Sequence, residues 1–421
     1  MIKMFSLSEK GVKKFPNVAK MFDWLSMCTY CSNCGQFYEY GKERNFAAVN
    51  CPSGDYFKFS VYNGSRSRNT LLKGLLSGRI SLDDEAAKIL FSCTLCGACQ
   101  QMCETDVKDW ILYIEEAARA DVQRNSVGVP EGIQTWSKHI PLEHNPYIEK
   151  HSERLNWIPK SIRSSLPKKA EYVYFVGCTA SYRQKNIALA TIELLRKLNV
   201  DFTIVQDEWC CGSPLLRTGQ FDRAKETALH NINVIGKHGD KIITTCAGCY
   251  RSLEKDYKKE SPEGYKDLFE TSFDMPVIHT IEVLDKAVKK GEVTFREDPR
   301  WAHKRVTYHD SCHIGRHCGI YEQPRDVLRA MPIIFVEMER NRQWSFCCGA
   351  GGGIRGGMPE YSLETAMKRN QEAIGIKAEI MTSVCPFCYR NFSDAAKKWD
   401  MPLGVWDIIE IANETMIVDK R

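Results

Sequence analysis

A chain of 421 residues with 43% hydrophobic and 10% aromatic side chains can build about two or three domains with real cores. Its net charge of +5 is small and its acids and bases are interspersed, so nucleic-acid binding has no support. The N-terminus "MIKMFSLSEK" lacks the apolar core of a signal peptide, and no window approaches roughly 18 consecutive apolar residues. The expectation is a cytoplasmic protein that reaches a membrane, if at all, through a partner subunit.

The nineteen cysteines are too sparse for a small disulfide scaffold and too many for an ordinary cytosolic enzyme. In a reducing compartment, spaced cysteines read as metal or cluster ligands. In chain order, the basic stretch Lys10 to Lys20 reads as a solvated helix face. "CTYCSNC" then supplies Cys28, Cys31 and Cys34, followed after sixteen residues by Cys51 and Pro52. "CTLCGACQQMC" supplies Cys93, Cys96, Cys99 and Cys103, the C-x2-C-x2-C-x3-C run of bacterial ferredoxins. Its three closely spaced thiolates grip one cube, and its fourth belongs to a second cluster. Zinc prefers four ligands in two pairs. Crossing the fourth ligands gives one cluster on Cys28, Cys31, Cys34 and Cys103, and another on Cys93, Cys96, Cys99 and Cys51. The insertion from Gly35 to Asn50 departs from the compact motif. Helical spacing predicts a helix pair between the motifs, with a turn near Ser77–Gly78, and another helix after Cys103. This gives a mainly helical two-cluster module over residues 1–127.

Residues 128–169 change character. Pro, Ser and charge dominate, with scattered Trp and Tyr, and the X-Pro steps argue against long helices. The segment reads as an ordered strap. Its histidines, His139, His144 and His151, have no ligand-like spacing and read as surface residues.

The remainder is an internal repeat, divided at 170–300 and 301–421. A strand ends at Cys178, a helix and a strand lead to Cys210 and Cys211, and a further helix and strand lead to Cys246 and Cys249. The second half repeats this with Cys312, then Cys347 and Cys348, then Cys385 and Cys388. The gaps are 31 and 34 residues in the first half and 34 and 36 in the second. Alternating strands and helices imply a small parallel α/β unit, whose ligands lie at the carboxyl ends of its strands. Five thiols thus converge in each half. That is too many for tetrahedral zinc and one more than a cubane cluster needs. Doubled cysteines suit a more open cluster in which one sulfur bridges two irons. The glycines of "CCGAGGG" allow a sharp turn, or backbone N–H groups aimed at cluster sulfur or an anion.

These motifs resemble the CCG domains of the heterodisulfide reductase family, and the resemblance covers nearly the whole chain. Iron–sulfur subunits of glycolate oxidase and anaerobic glycerol-3-phosphate dehydrogenase share the plan. "SRSRNTLLKGLLSG" and "YHDSCHIGRHCGIYEQPR" are further similar stretches. The implied fold class is α plus α/β: a helical two-cluster ferredoxin module followed by two tandem small parallel α/β CCG domains. The resemblance implies two cubane [4Fe-4S] clusters and two noncubane [4Fe-4S] clusters. It assigns one noncubane cluster to Cys178, Cys210, Cys211, Cys246 and Cys249, and the other to Cys312, Cys347, Cys348, Cys385 and Cys388. Zinc in one of these sites is the minor alternative. The implied substrate is a small thiol heterodisulfide, such as that of coenzymes M and B, lying between the two noncubane clusters. A disulfide takes two electrons and a cluster gives one, so two facing clusters match a bond with two sulfurs. The cubane clusters then act as a wire.

Cys318 falls outside every set and reads as a free buried cysteine. His309, Asp310 and His313 flank Cys312 and read as hydrogen-bond donors to cluster sulfur, with proton donation as the alternative. Arg316, Arg325 and Arg355 can bind an anionic substrate tail or form structural pairs. "GAGGGIRGG" does not open a βαβ unit, so no flavin is expected on this chain. The alternative function is a non-catalytic electron-transfer subunit. It would link a flavin dehydrogenase of 2-hydroxy acids, glycerol-3-phosphate or acyl-CoA to a membrane quinone-type carrier. Either function implies a hetero-oligomer with a flavoprotein, a membrane cytochrome b, or both.

Overall fold

The computed structural model describes residues 6–31, 33–35 and 50–419. Most of the inserted stretch before Cys51 therefore lies outside the described residues. The chain forms two compact units: Met1–Ser137 with Pro214–Ala224 and Gly349–Thr365, and Lys138–Ser213 with Lys225–Cys348 and Ala366–Arg421.

The first unit is helical. The helix Gly64–Leu76 stops one residue before Ser77, and Gly78 turns the chain with a φ of +74°. The helix Asp84–Phe91 opens on Asp83, whose carboxylate caps the Ala86 N–H. The long helix Ile111–Asn125 follows a 3-10 turn at Asp106–Trp110. Leu72, Leu75, Leu76, Leu90, Phe91, Ile114 and Val122 are buried between these helices. Apolar residues recur every three or four positions and so share one face.

The strap departs from expectation. Despite its prolines it contains the 13-residue helix Glu131–Glu143. Pro130 stands just before the first turn, where a missing N–H costs nothing. Pro141 lies inside the helix and cannot bond the Ser137 carbonyl, but Arg223 donates to that carbonyl at 2.9 Å. A distant side chain restores what proline removes.

The second unit holds two parallel sheets of four strands each. The first contains β1 (Tyr172–Phe175), β2 (Phe202–Thr203), β3 (Lys241–Thr244) and β4 (Val277–His279), in the order β2-β1-β3-β4. After β5 (Val293–Phe295), the second sheet uses β6 (Arg305–Tyr308), β7 (Ile334–Phe335), β8 (Ile380–Ser383) and β9 (Gly404–Asp407), in the order β7-β6-β8-β9. β5 pairs antiparallel with β10 (Met416–Val418). The central strands are almost wholly buried, as parallel strands covered on both faces must be. β4 and β9 were not anticipated. Each is followed at once by a helix with a capping box, His279 with Glu282 and Asp407 with Glu410. The two halves therefore match in strand order and in the cap of the last helix.

Candidate metal centres

In the first unit, a cavity is lined by Cys28, Cys31, Cys34 and Cys103, together with Ser65 and Asn69 of the helix Gly64–Leu76. The Cys34 sulfur accepts the Arg66 N–H at 3.3 Å, and burial raises its pKa while backbone donors oppose the rise. The Cys103 sulfur lies 3.3 Å from Thr105 Oγ1. Among the described residues, Ser65 Oγ and both polar atoms of the Asn69 side chain are buried without hydrogen-bond partners. Buried polar groups need partners. Donors turned on a pocket of four thiols fit a group rich in sulfur.

Cys51 lies in the neighbourhood of Cys93 and Cys99, and its charge raises the pKa of both. Cys51 accepts the Gly64 N–H at 3.3 Å, and Cys93 accepts the Leu95 N–H at 3.4 Å. Burial pushes the Cys93 thiol up to about 12, against the pull of the Arg68 charge. Cys96 and Cys99 bracket Gly97, whose left-handed φ of +73° starts the helix Ala98–Met102. Arg119 ties this loop down by donating to the carbonyls of Leu90 and Cys93, and also to those of Arg217 and Gly352. A Cβ on Gly352 would stand 2.5 Å from the Cys93 carbonyl oxygen, so only glycine fits. The glycine run thus serves a close backbone approach.

In the second unit, all five thiols of the first set interact in one sequence, Cys178–Cys210–Cys211–Cys249–Cys246, each neighbour shifting the next. Hydrogen bonds from Cys210 and Cys249 hold Cys211 well below the ordinary thiol range. The frame around them is rigid. Glu208 accepts the Val176 and Gly177 N–H groups at 2.9 Å each and pairs with buried Arg154. The Asn231 side chain accepts the Trp209 N–H at 2.9 Å and donates to the Cys210 carbonyl at 3.0 Å. Gly177 has a φ of +76°, and a Cβ there would approach the Cys249 sulfur to 2.9 Å.

The second set is gathered less completely. Cys388 donates to Cys348 at 3.3 Å, Ser311 donates to Cys388 at 3.1 Å, and Cys347 and Cys385 complete the chain through Cys348 and Cys388. Cys348 mirrors Cys211, held well below the usual range by Cys347 and Cys388. Cys312 is half buried in the turn after β6, and among the described residues no hydrogen bond joins its thiol to the other four. The His309 imidazole lies within 4.8 Å of the Cys348 and Cys388 sulfurs. Burial lowers its pKa, and Arg369 donates to its Nδ1 at 3.4 Å. Asp310 takes both arms of Arg325 at 2.7 and 2.8 Å.

The two sets meet: the Cys246 and Cys385 thiols are near enough to shift each other, Cys246 upward and Cys385 downward from the ordinary thiol range. Beside this contact, Gly248 has room for a Cβ only 3.6 Å from His313 Nδ1, and Arg251 bonds His317 at 2.8 Å. Of the arginines considered for substrate, Arg316 holds the Gln343 and Ser345 carbonyls and Arg325 holds Asp310 and Glu337, so both have structural roles. Arg355 lies in the short helix Ile354–Gly357. Cys318 is half buried, and burial pushes its thiol up to about 12. His139 is also half buried. His144 and His151 are not plain surface residues. His144 stacks on Trp209 at 3.6 Å, His230 covers the other face at 3.7 Å, and His151 meets His144 edge-on at 5.1 Å. Spacing did not reveal Glu208, Arg154 or Asn231, since each acts across at least 21 residues.

Comparison with known proteins matches residues 24–107 to the 4Fe-4S dicluster domain, and 172–254 and 306–393 to the CCG cysteine-rich domain. The chain is 38% identical over 336 residues to a subunit of the dihydromethanophenazine:CoB–CoM heterodisulfide reductase of Methanosarcina mazei, covering 78% of each. It is 34% identical over 403 residues to the same-named protein from Methanosarcina acetivorans, covering 93% of this chain and 94% of that one. It is also 27% identical to the EtfAB:quinone oxidoreductase of Syntrophomonas wolfei, covering 79% of this chain but 47% of that protein.

Proposed function

The chain belongs to the family of these Methanosarcina heterodisulfide reductase subunits, which makes it an iron–sulfur oxidoreductase subunit, and we propose that it reduces a small thiol heterodisulfide. The two cubane clusters are assigned to Cys28, Cys31, Cys34 and Cys103, and to Cys51, Cys93, Cys96 and Cys99. The two noncubane clusters are assigned to the two five-cysteine sets. The observation that carries this reading is the contact between Cys246 and Cys385, where the sets of the two halves touch. A substrate bound there meets one set with each sulfur. Net reduction takes RS–SR′, two electrons and two protons to RSH and R′SH. When bound, the clusters supply those electrons singly.

The chain's own residues hold and insulate the site. Glu208 with Arg154, and Asp310 with Arg325, fix the backbone two residues ahead of Cys178, Cys210 and Cys312. Burial lowers the His309 pKa beside Cys348, and Ser311 donates to the Cys388 sulfur. Such hydrogen bonds to sulfur tune the metal it binds. Among the described residues no helix is long and apolar enough to cross a membrane. We assign membrane contact, like flavin, to partner subunits.

The likeness to the EtfAB:quinone oxidoreductase favours a second reading, an electron-transfer subunit between a flavoprotein and a quinone-type carrier. Anaerobic purification, an iron count and EPR with added coenzyme M separate the two. About sixteen irons with a thiol-dependent paramagnetic signal supports disulfide reduction. The same iron with no response to any thiol supports the second reading. About eight irons plus zinc overturns the noncubane assignment.

A further inference from the structure

One helix serves both cubane sites with different chemistry. Ser65 and Asn69 of Gly64–Leu76 line the Cys28/Cys31/Cys34/Cys103 cavity. Arg68, about 100° round the helix from Asn69, turns to the other set. Its guanidinium is 1% exposed and interacts electrostatically with both Cys93 and Cys51. Among the described residues its hydrogen bonds go only to neutral acceptors: the Gly64 carbonyl at 2.8 Å, Ile89 at 3.1 Å, Tyr62 at 3.2 Å, and the hydroxyls of Ser53 at 2.7 Å and Ser92 at 3.0 Å. A carboxylate oxygen of buried Glu115 stands 3.8 Å away, and among the described residues neither Glu115 oxygen accepts a hydrogen bond.

We propose that the Arg68 charge, partly offset by Glu115, sets the reduction potential of the cluster on Cys51, Cys93, Cys96 and Cys99 apart from that of its neighbour. The proposal rests on the cubane assignment above. Adding an electron makes a cluster more negative. A fixed cation close by, in a water-excluded setting, favours that added charge. Ordered neutral acceptors hold the guanidinium in place without cancelling it. Across the helix, the other cavity is lined by Ser65, Arg66 and Asn69, and its nearby buried cation is the Lys73 ammonium, which interacts with Cys28 and lies over the Tyr30 ring at 4.6 Å, so a guanidinium serves one set and an ammonium the other. Arg68 is thus a positioning residue for charge, one turn from donors that serve the second cluster.

The test is an anaerobic EPR redox titration of the full holoprotein, with C51S and C103S as single-cluster references. Arg68→Met shifts the midpoint of the Cys51 cluster downward and leaves the Cys28 cluster unmoved, while Arg68→Lys restores most of the shift. A scaffold residue without electrostatic influence gives no such selective shift and no rescue. Both midpoints unchanged, or both moved equally, overturns the proposal. If Arg68→Met fails to retain its clusters, Glu115→Gln decides at pH 9, where the native carboxylate is ionised. An upward shift of the Cys51 cluster supports the proposal, and no shift overturns it. A wild-type protein lacking two cubane signals overturns the assignment beneath it as well.

Discussion

Glu208 uses both carboxylate oxygens, one on each of two successive backbone N–H groups, and adds a buried arginine. Replacing it by glutamine leaves Arg154 buried without a counter-charge. Breaking such a pair costs about 3–5 kcal/mol. Glu208→Gln is therefore expected to lower anaerobic urea stability by that order and to lose iron from the first five-cysteine set. A change below about 1 kcal/mol would place the pair among the marginal ones. Glu372 offers a cleaner pH signature. Burial alone would raise its pKa, but Arg369 and Arg340 override it and hold the carboxyl at about 2. A carboxyl depressed in the folded state stabilises above its unfolded value and loses that contribution as pH falls. With an unfolded value near 4.5, the window runs from about 4.5 down to about 2. Wild type should lose about 1.4 kcal/mol from this group on going from neutral pH to about 3.5. Glu372→Gln should lack that slope, and an unchanged slope would remove Glu372 from the account.

At the scale of elements, the strand ends matter because they deliver thiols. β1 hands the chain to Gly177 in a left-handed turn, and Cys178 follows. Gly177→Ala must strain that turn and crowd Cys249, so iron content should fall by about a quarter, with the second noncubane signal retained. Full iron in this variant would show that the turn tolerates a side chain. Much of this layer was legible in the sequence. Alternating apolar runs marked β1, β3, β6 and β8, and cysteine spacing placed thiols at their ends. β4 and β9 were not legible, because "VIH" and "GVWD" are too short and mixed to carry a period. They become strands because β3 and β8 present open edges to them. The strap helix was missed for a similar reason: Arg223 rescues the Ser137 carbonyl from far along the chain.

For the whole molecule, local spacing named the thiols proposed to bind metal, while the groups proposed to tune them come from elsewhere in the chain. Arg68 and Glu115 lie 47 positions apart in the chain and Arg154 and Glu208 lie 54 apart, so no motif could pair them. Cysteines separated by two residues announce themselves; charges that meet only after folding do not. The crossed ligand sets make a prediction at this scale. Cys51→Ser should remove the cluster of Cys93, Cys96 and Cys99, and Cys103→Ser that of Cys28, Cys31 and Cys34. Each should cost about four of about sixteen irons, with complementary EPR spectra. If both variants lost the same signal, the crossing would be wrong.

The meeting of Cys246 with Cys385 has a consequence for how the protein must be made. Neighbouring thiols, with Cys385 disposed toward thiolate, can form disulfides once oxidant arrives. A bond between Cys246 and Cys385 would weld the two repeats together and consume one ligand from each. Cys348 and Cys388, 3.3 Å apart, would close a second lock. Iron therefore has to reach the freshly folded chain before air does. Protein stripped of metal in air should refuse to reload until a strong reductant reopens those bonds.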